Sequence, residues 1–233
     1  MRALNPTHLS CFGAMLLLSL LAVPTPAMGE LLIDKLIVEL RQGKVNRQDL
    51  TVWNKSPDRV YILVEPSLIT NPGKSTQRRV NSVDPREIGL LASPQRMILE
   101  PGQQRLLRIA SLTTDASLER VYRVTVRPVV NEDAADGGLE LLVGYDLLVL
   151  ARPAITDFSV TTLRQGQQLT LRNEGNSSVE LLKIRQCDRS GHCSDQTGKR
   201  LYAGAEWQTQ LNSHGPAELF FSTADGPKTK TVK

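Results

Sequence analysis

The cysteines and histidines are the residues of this chain whose types and spacing could support specific chemistry. Cys187 and Cys193 stand six residues apart, and His192 directly precedes the second cysteine. This spacing fits either a small disulfide-closed loop or a metal site to which His192 contributes. A metal site would need further ligands at suitable spacing, and only His214 and scattered carboxylates remain. The disulfide is therefore the favoured prediction for an exported protein.

The two histidines near the C-terminus do not support a catalytic centre. A nucleophile activated by a base would need a histidine close to a serine or cysteine. His192 falls in the tight loop between the cysteines, and His214 falls in a turn; both positions are typical of exposed loops. The chain also contains neither a phosphate-binding glycine loop nor an HExxH motif. The sequence predicts that the protein is not an enzyme and that it uses no cofactor and no metal.

The N-terminal segment 1–29 has the pattern of a cleaved secretory signal. Residues 9–23 form an apolar run, and Ala27 and Gly29 place small residues at the −3 and −1 positions before Glu30. The run is shorter than the roughly 20 residues that a spanning helix needs, and it lacks a basic stop-transfer flank. We therefore predict export to the periplasm, removal of this segment, and no membrane insertion afterwards. The only other cysteine of the chain is lost with the signal.

Composition limits the kinds of partner. The formal net charge is +4, and no dense basic run interleaved with aromatic residues accompanies it. A nucleic-acid partner is therefore not indicated. Aromatic residues make up only 4% of the chain, so the core must come from leucine, valine and isoleucine.

Short apolar or alternating segments recur between turn signals along the whole mature chain, which is the pattern of an all-β protein. The pattern shows no convincing helix; residues 70–81 are expected to form a loop or a frayed edge, and residues 113–118 a short helical turn. After Pro153 the pattern restarts. We predict two antiparallel immunoglobulin-like β-sandwich domains, at 30–152 and 153–233, with a closed barrel as the less favoured alternative. A disulfide would help a second core of about 80 residues.

The stretch Gly138–Pro153, GLELLVGYDLLVLARP, is the most informative of the predicted strands. Its first half alternates, and one face carries Leu139, Leu141, Val143 and Tyr145. From Leu147 to Leu150 both faces are apolar, so that part needs cover on both sides. The residues alone leave open whether the alternating row is covered by its own domain or by another protein.

Three segments, in this order, resemble the periplasmic chaperones of bacterial pilus assembly, the PapD-like family. They are SPQRMILEPGQQRLLRI at 93–109, ERVYRVTVRPV at 119–129 and VLARPAI at 149–155. The motifs NEGNSSVELL, CDRSGHC and GKRLYAG in the C-terminal half are similar to the alternate, or class 5, branch. The resemblance implies two immunoglobulin-like domains in a boomerang arrangement with a cleft between them. It also implies a chaperone, monomeric when free, that delivers pilin subunits to an outer-membrane usher.

The resemblance further implies how a subunit is bound. In donor-strand complementation the chaperone adds its last first-domain strand to a subunit that lacks a strand of its own. Backbone hydrogen bonds then supply affinity, alternate side chains supply register, and an aggregation-prone edge is covered. The subunit-binding residues implied here are Leu139, Leu141, Val143 and Tyr145. We call residues 139–145 the donor segment, and we expect Leu147–Leu150 to be buried in the chaperone itself.

The family holds the C-terminal carboxylate of the subunit with two basic residues in the cleft. Lys35, in DKLIVEL, matches the first of them. The second is a lysine four residues before the Arg-Pro pair, and Leu148 stands at that position here. Lys35 could act alone, another basic residue such as Arg123 or Arg127 could replace the missing lysine, or the register could differ.

A structural set is also implied by the resemblance. Glu119 and Arg152 match residues of an interdomain ion-pair network, and Asp225 in the last turn is expected to be its third member. Such a network would set the angle between the domains and would take no part in chemistry.

The main alternative function is a structural or adhesive exported protein, such as a pilin-like subunit. Proteins of that kind would carry an N-terminal extension of alternating apolar residues, and the mature start ELLIDKLIVEL could serve as one. Against this, the first domain has enough predicted strands to complete its own sandwich. Self-association distinguishes the two, since a chaperone should stay monomeric and bind one subunit.

Overall fold

The computed structural model describes residues 31–129, 142–188 and 190–233. These ranges are built almost entirely from β-strands, which form four sheets in two sandwiches. The predicted signal segment 1–29 and the donor-segment residues Leu139 and Leu141 lie outside the described residues. No helix in the described ranges is long and apolar enough to cross a membrane.

The first sandwich contains ten strands. They are β1 (Leu31–Ile33), β2 (Ile37–Arg41), β3 (Arg47–Asn54), β4 (Val60–Thr70), β5 (Arg78–Asn81), β6 (Leu90–Ser93), β7 (Arg96–Leu99), β8 (Gln104–Ser111), β9 (Arg120–Val129) and β10 (Tyr145–Arg152). The first sheet has the order β1-β3-β8-β6. The second sheet has the order β2-β10-β9-β4-β5, and β7 also pairs with β4. The pairing of β2 with β10 is parallel, and the other pairings of this sandwich are antiparallel.

Alternation along the strands produces the first core. Inward-facing residues of both sheets, among them Leu50, Leu107 and Tyr122, are fully buried and pack together. In β10, Leu147 and Val149 belong to this core, whereas Leu148 and Leu150 are buried on the opposite face of the sheet. The prediction that Leu147–Leu150 is buried in its own protein is confirmed.

One edge strand differs from the expectation of a loop. Residues Arg78–Asn81 form β5, which pairs with Ser67–Thr70 of β4. All four residues of β5 are exposed. The strand is held by backbone pairing at the sheet edge and buries no apolar side chain, so hydrophobic periodicity could not indicate it.

The expectation about helical segments was wrong in both places. Residues Pro85–Ile88 form a single helical turn, α1. The Asp84 side chain caps its start by accepting a hydrogen bond from the Arg86 backbone N–H, and Gly89 ends it in the left-handed conformation (φ 80°). The segment 113–118, expected to be helical, forms only bends.

The second sandwich contains eight strands. They are β11 (Val160–Gln165), β12 (Gln168–Asn173), β13 (Val179–Cys187), β14 (Cys193–Thr197), β15 (Arg200–Leu201), β16 (Glu206–Gln210), β17 (Ala217–Thr223) and β18 (Gly226–Val232). One sheet has the order β11-β12-β16, and the other has the order β14-β13-β17-β18 with β15 beside β13. Leu171, Ile184 and Phe221 lie in its core. The predicted all-β architecture of two immunoglobulin-like sandwiches is confirmed.

The two distal cysteines form the predicted disulfide. Cys187 and Cys193 are directly opposite each other at the joined ends of β13 and β14, with their Cα atoms 3.9 Å apart. Among the described residues there is no group of three or more histidine, cysteine or acidic side chains that could hold a metal ion.

Candidate functional site

The second sheet of the first sandwich has an outer face, which points away from the first core, and the second sandwich packs against part of it. Four apolar residues of β4, β9 and β10 are buried there: Ile69, Val121, Leu148 and Leu150. Tyr202 of the second sandwich packs against this group, and burial raises the pKa of its hydroxyl. Leu148, which stands where the family has a lysine, therefore serves as an apolar contact between the sandwiches.

Glu119 and Arg152, both expected at the domain junction, meet there. The Arg152 side chain is 5% exposed, and its Nη2 donates to Glu39 Oε1 at 2.9 Å. Its Nη1 donates to the Ser178 carbonyl at 3.3 Å, which ties it to the second sandwich. The Glu119 carboxylate lies 3.7 Å from Arg152 Nε, too far for a hydrogen bond. The Glu119 N–H also crosses the junction and donates to the Asn176 carbonyl at 2.8 Å.

Asp225 lies at the same junction but has a different partner. Its Oδ1 is 2.9 Å from Arg41 Nη1, and Arg41 Nη2 donates to Thr156 Oγ1 at 3.0 Å. Hydrogen bonds from Thr156 and Arg41 lower the pKa of the Asp225 carboxyl. Sequence reasoning missed Arg41, although the parallel pairing of β2 with β10 places it directly opposite Arg152.

A polar group occupies the outer face further along β10, towards the donor segment. Arg79 of β5 donates to Asp146 Oδ1 at 2.8 Å, to Thr125 Oγ1 at 2.8 Å and to Ser67 Oγ at 2.6 Å. Arg123 of β9 lies 3.8 Å from the Asp146 carboxylate and donates to its carbonyl at 3.3 Å. Two guanidinium groups therefore share one carboxylate, which leaves the group with a net positive charge.

The structure favours Arg123 over Arg127 as a neighbour of the predicted Lys35 site. Arg123 is directly opposite Leu148 in the β9–β10 pairing, so both side chains lie on the outer face. Arg127 is engaged by Glu65, at 2.9 Å. Lys35 is exposed in the link between β1 and β2 and forms no ion pair within the described ranges.

The link that carries Lys35 runs along β10. The carbonyl of Leu36, the next residue, accepts a hydrogen bond from the Leu148 N–H at 2.9 Å. Lys35 and Arg123 therefore approach the same part of β10 from its two neighbouring segments.

The described part of the donor segment leaves the sheet. Strand β10 begins at Tyr145, residues 142–144 form no strand, and the Val143 side chain is 66% exposed. Gly144 lies close to β9, where an added Cβ would be 2.8 Å from Arg127 Cβ and 3.0 Å from the Val126 carbonyl oxygen. Glycine is therefore the residue that allows this approach.

Tyr145 is placed differently from the other donor-segment residues. Its side chain is half-buried against the first core, and its hydroxyl donates to the Leu31 carbonyl at 2.8 Å. The expectation that Tyr145 fills a subunit groove differs from this arrangement, because the ring faces the protein's own core. Val143, in contrast, is accessible.

Comparison with solved structures identifies the architecture. The class 5 fimbriae chaperone CfaA superposes with a TM-score of 0.67 at 21% identity, covering 87% of this chain and 99% of that chain. A chain of the Salmonella enterica SafA pilin–SafB chaperone complex gives 0.62 at 17% identity, covering 89% and 99%. The Escherichia coli chaperone DraB gives 0.58 at 15% identity, covering 87% and 97%. This chain has the PapD-like chaperone fold.

The sequence relatives span the same length as this chaperone fold. The CS1 fimbrial B subunit of Escherichia coli is 26% identical over 233 residues, which cover 94% of this chain and 96% of that protein. The CFA/I fimbrial A subunit of Escherichia coli is 27% identical over 194 residues, which cover 80% of each chain. No protein-family model matches the chain.

Proposed function

We propose that this protein is a periplasmic chaperone that binds secreted pilin subunits by donor-strand complementation and delivers them to an outer-membrane usher. The proposal includes a cleaved signal at 1–29, a donor-strand domain at 30–152 and a second domain at 153–233. The observation that carries it is the two-domain chaperone fold combined with a last first-domain strand that is preceded by exposed residues. The action is non-enzymatic, because strand addition makes and breaks only non-covalent contacts.

The donor segment would supply alternate apolar side chains to the groove of a pilin. Successive residues of a strand point to opposite faces, so Leu139, Leu141 and Val143 would enter neighbouring pockets of that groove. Each such side chain, if fully buried, contributes roughly 1.5–3 kcal/mol before the cost of ordering the segment is subtracted. Tyr145 would remain in the chaperone, where it already packs.

The subunit's C-terminal carboxylate would be bound by Lys35 together with Arg123. Support comes from the two positions beside β10 and from the excess of positive charge around Asp146. A guanidinium can grip a carboxylate with two parallel hydrogen bonds, whereas the lysine ammonium acts as a point charge. The pair would therefore orient the carboxylate as well as attract it.

A pilin-like subunit is the second candidate, favoured by the names of the two sequence relatives. The N-terminal stretch ELLIDKLIVEL would then complete a neighbouring molecule. In the structure this stretch contributes β1 and β2 to the first sandwich, and its residues Leu31, Val38 and Leu40 are buried in the first core. A stretch that completes its own domain is not available to a neighbour, so the chaperone is preferred.

Co-expression tests the proposal. The chain would be produced in a bacterial periplasm with the pilin-like subunits of its own genome, one at a time, and purified through a tag on the chain. We expect a one-to-one complex with at least one of these subunits and a monomer when the chain is produced alone. Polymers formed by the chain itself would instead support the pilin-like alternative.

A further inference from the structure

Arg79 connects three strands of the second sheet to the first turn of β10. It starts from the edge strand β5 and contacts Ser67 on β4, Thr125 on β9 and Asp146 on β10. Neighbouring strands of a sheet lie about 4.8 Å apart, so the side chain must lie flat across the outer face to make these contacts. The Thr125 hydroxyl also donates to Asp146 Oδ1, at 3.1 Å.

The residue before Asp146 is held on the other side of the same sheet. The Tyr145 ring packs against the first core, and its hydroxyl donates to the Leu31 carbonyl of β1, which belongs to the first sheet. Two consecutive residues at the beginning of β10 are thus fastened to opposite faces. Residues 142–144, immediately before them, have left the sheet.

The rest of β10 defines its register only weakly. Leu147, Leu148, Val149 and Leu150 are all apolar and all buried, alternately in the first core and under the second sandwich. A slip of one residue exchanges the two faces of a strand, and in this part it would replace one apolar side chain by another. Tyr145 and Asp146 are different, since the same slip would turn a carboxylate into the core and a tyrosine out of it.

We propose that Asp146, held by Arg79, acts with Tyr145 as a register clamp that fixes how β10 pairs with β9. In the proposed chaperone, on which this inference rests, the clamp would also fix which face of the donor segment carries Leu139, Leu141 and Val143. Arg79, Tyr145 and Asp146 are positioning residues, because the clamp keeps the row that enters a pilin facing the right way.

The clamp selects a register and adds little to overall stability. Arg79 and Asp146 are both partly exposed, and single exposed ion pairs contribute little. The selection comes from the cost of the wrong arrangement, in which the Asp146 carboxylate would face an apolar core without a partner. The test therefore has to measure register, and a melting temperature alone is not informative.

The experiment uses the isotope-labelled mature chain without any pilin present. Cross-strand NMR contacts between β9 and β10 report the pairing of Tyr145 with Val126 and of Leu147 with Val124. The test variant is Asp146→Leu, which makes both registers apolar, and the conservative variant is Asp146→Glu. The matched control is Asp49→Leu, which removes a different exposed carboxylate that is bonded to Arg108 on the first sheet.

We expect a single register in the wild type, in Asp146→Glu and in Asp49→Leu. For Asp146→Leu we expect a second set of contacts shifted by one residue, and about tenfold faster amide hydrogen exchange in β10. A single wild-type register with wild-type exchange in Asp146→Leu would overturn the clamp, as would the same change in Asp49→Leu. If Asp146→Leu does not fold, Arg79→Gln is measured in the same way, and an unshifted register there would also overturn it.

Register and capture are judged separately. Failure of the wild type to capture any pilin would contradict the proposed function, while the register measurement would still decide the clamp. A normal register in Asp146→Leu would remove the clamp, while capture by the wild type would leave the proposed function intact.

Discussion

Arg152 Nε lies 3.7 Å from Glu119 Oε2, and the two side chains are 5% and 1% exposed. Within the described residues neither Glu119 oxygen accepts a hydrogen bond, and Arg152 Nε donates none. A buried carboxylate without hydrogen bonds is costly in its charged form. Burial therefore raises the pKa of Glu119, and the attraction of Arg152 offsets only part of that effect.

The first prediction is a pH dependence of stability that originates at Glu119. Because its pKa in the folded protein is raised above the ordinary value of 4.5, the folded state binds a proton more tightly than the unfolded chain. The stabilisation from this proton is complete below the ordinary pKa and is lost as pH rises through the raised pKa. We expect Glu119→Gln to remove this part of the pH dependence of unfolding, measured by denaturant titration at several pH values.

The control for that prediction is Glu39→Gln, which removes the other carboxylate bonded to Arg152. Glu39 is about half exposed, at 52%, and no raised pKa is expected to arise from its burial. The pH dependence above the ordinary carboxyl range should persist in this variant. Parallel curves for the wild type and Glu119→Gln would contradict the prediction.

The second prediction concerns the donor segment. Val143→Asp should weaken binding of the pilin at least about tenfold, because a side chain worth roughly 1.5–3 kcal/mol is replaced by a charge in an apolar groove. The free energy of unfolding should change by less than about 0.5 kcal/mol, because Val143 is exposed in the free protein. Binding is measured by titration with a purified pilin, and Leu141→Asp is expected to weaken it in the same way.

The matched control is Leu163→Asp, which places the same charge at an exposed leucine of the second sandwich. It should bind the pilin with the affinity of the wild type. Equal losses at Val143 and Leu163 would indicate a general effect of charge, and unfolding of Val143→Asp would show that this residue is part of the protein's own core.

The third prediction separates the candidate carboxylate ligands. Lys35→Ala and Arg123→Ala should each weaken binding of the pilin by about 5- to 30-fold, in the range of a hydrogen bond to a charged group. Arg127→Ala should have little effect, because Arg127 is already paired with Glu65. A pilin that ends in an amide, in place of the carboxylate, should abolish the difference between the wild type and both affected variants. Undiminished binding by Lys35→Ala would remove that residue from the site.

The fourth prediction concerns the disulfide of the second sandwich. Replacing Cys187 and Cys193 by serine should lower the free energy of unfolding of the second sandwich by about 2 kcal/mol, since the loop that the bond closes is short. The measurement is denaturant unfolding followed at Trp207 of the second sandwich and at Trp53 of the first. We expect the change to appear at Trp207, and an equal shift at Trp53 would contradict a local effect.

Features that depend on burial could be predicted from the sequence. The apolar run Leu147–Leu150 requires cover on both faces and has it, and the cysteine spacing predicted the closed loop at the end of β13. Both conclusions follow from residue type and local spacing alone. The two sandwiches were predicted for the same reason, since alternation reports which face of a strand is buried.

Features that depend on pairing or on distant contacts could not be predicted. Strand β5 buries none of its residues, so its pairing left no mark in the hydrophobic pattern. The contact from Arg79 to Asp146 was missed as a consequence, because it requires β5 to lie in the sheet. The partner of Asp225 was missed because Arg41 lies 184 residues away in sequence, and only the parallel pairing of β2 with β10 brings it to the junction.

The most direct measurement is amide hydrogen exchange of residues 139–144 in the free protein and in its complex with a pilin. Strand addition predicts that these amides exchange rapidly in the free protein and become protected in a one-to-one complex, because their N–H groups then pair with the backbone of the pilin. A complex in which these amides exchange as fast as in the free protein would contradict donor-strand complementation.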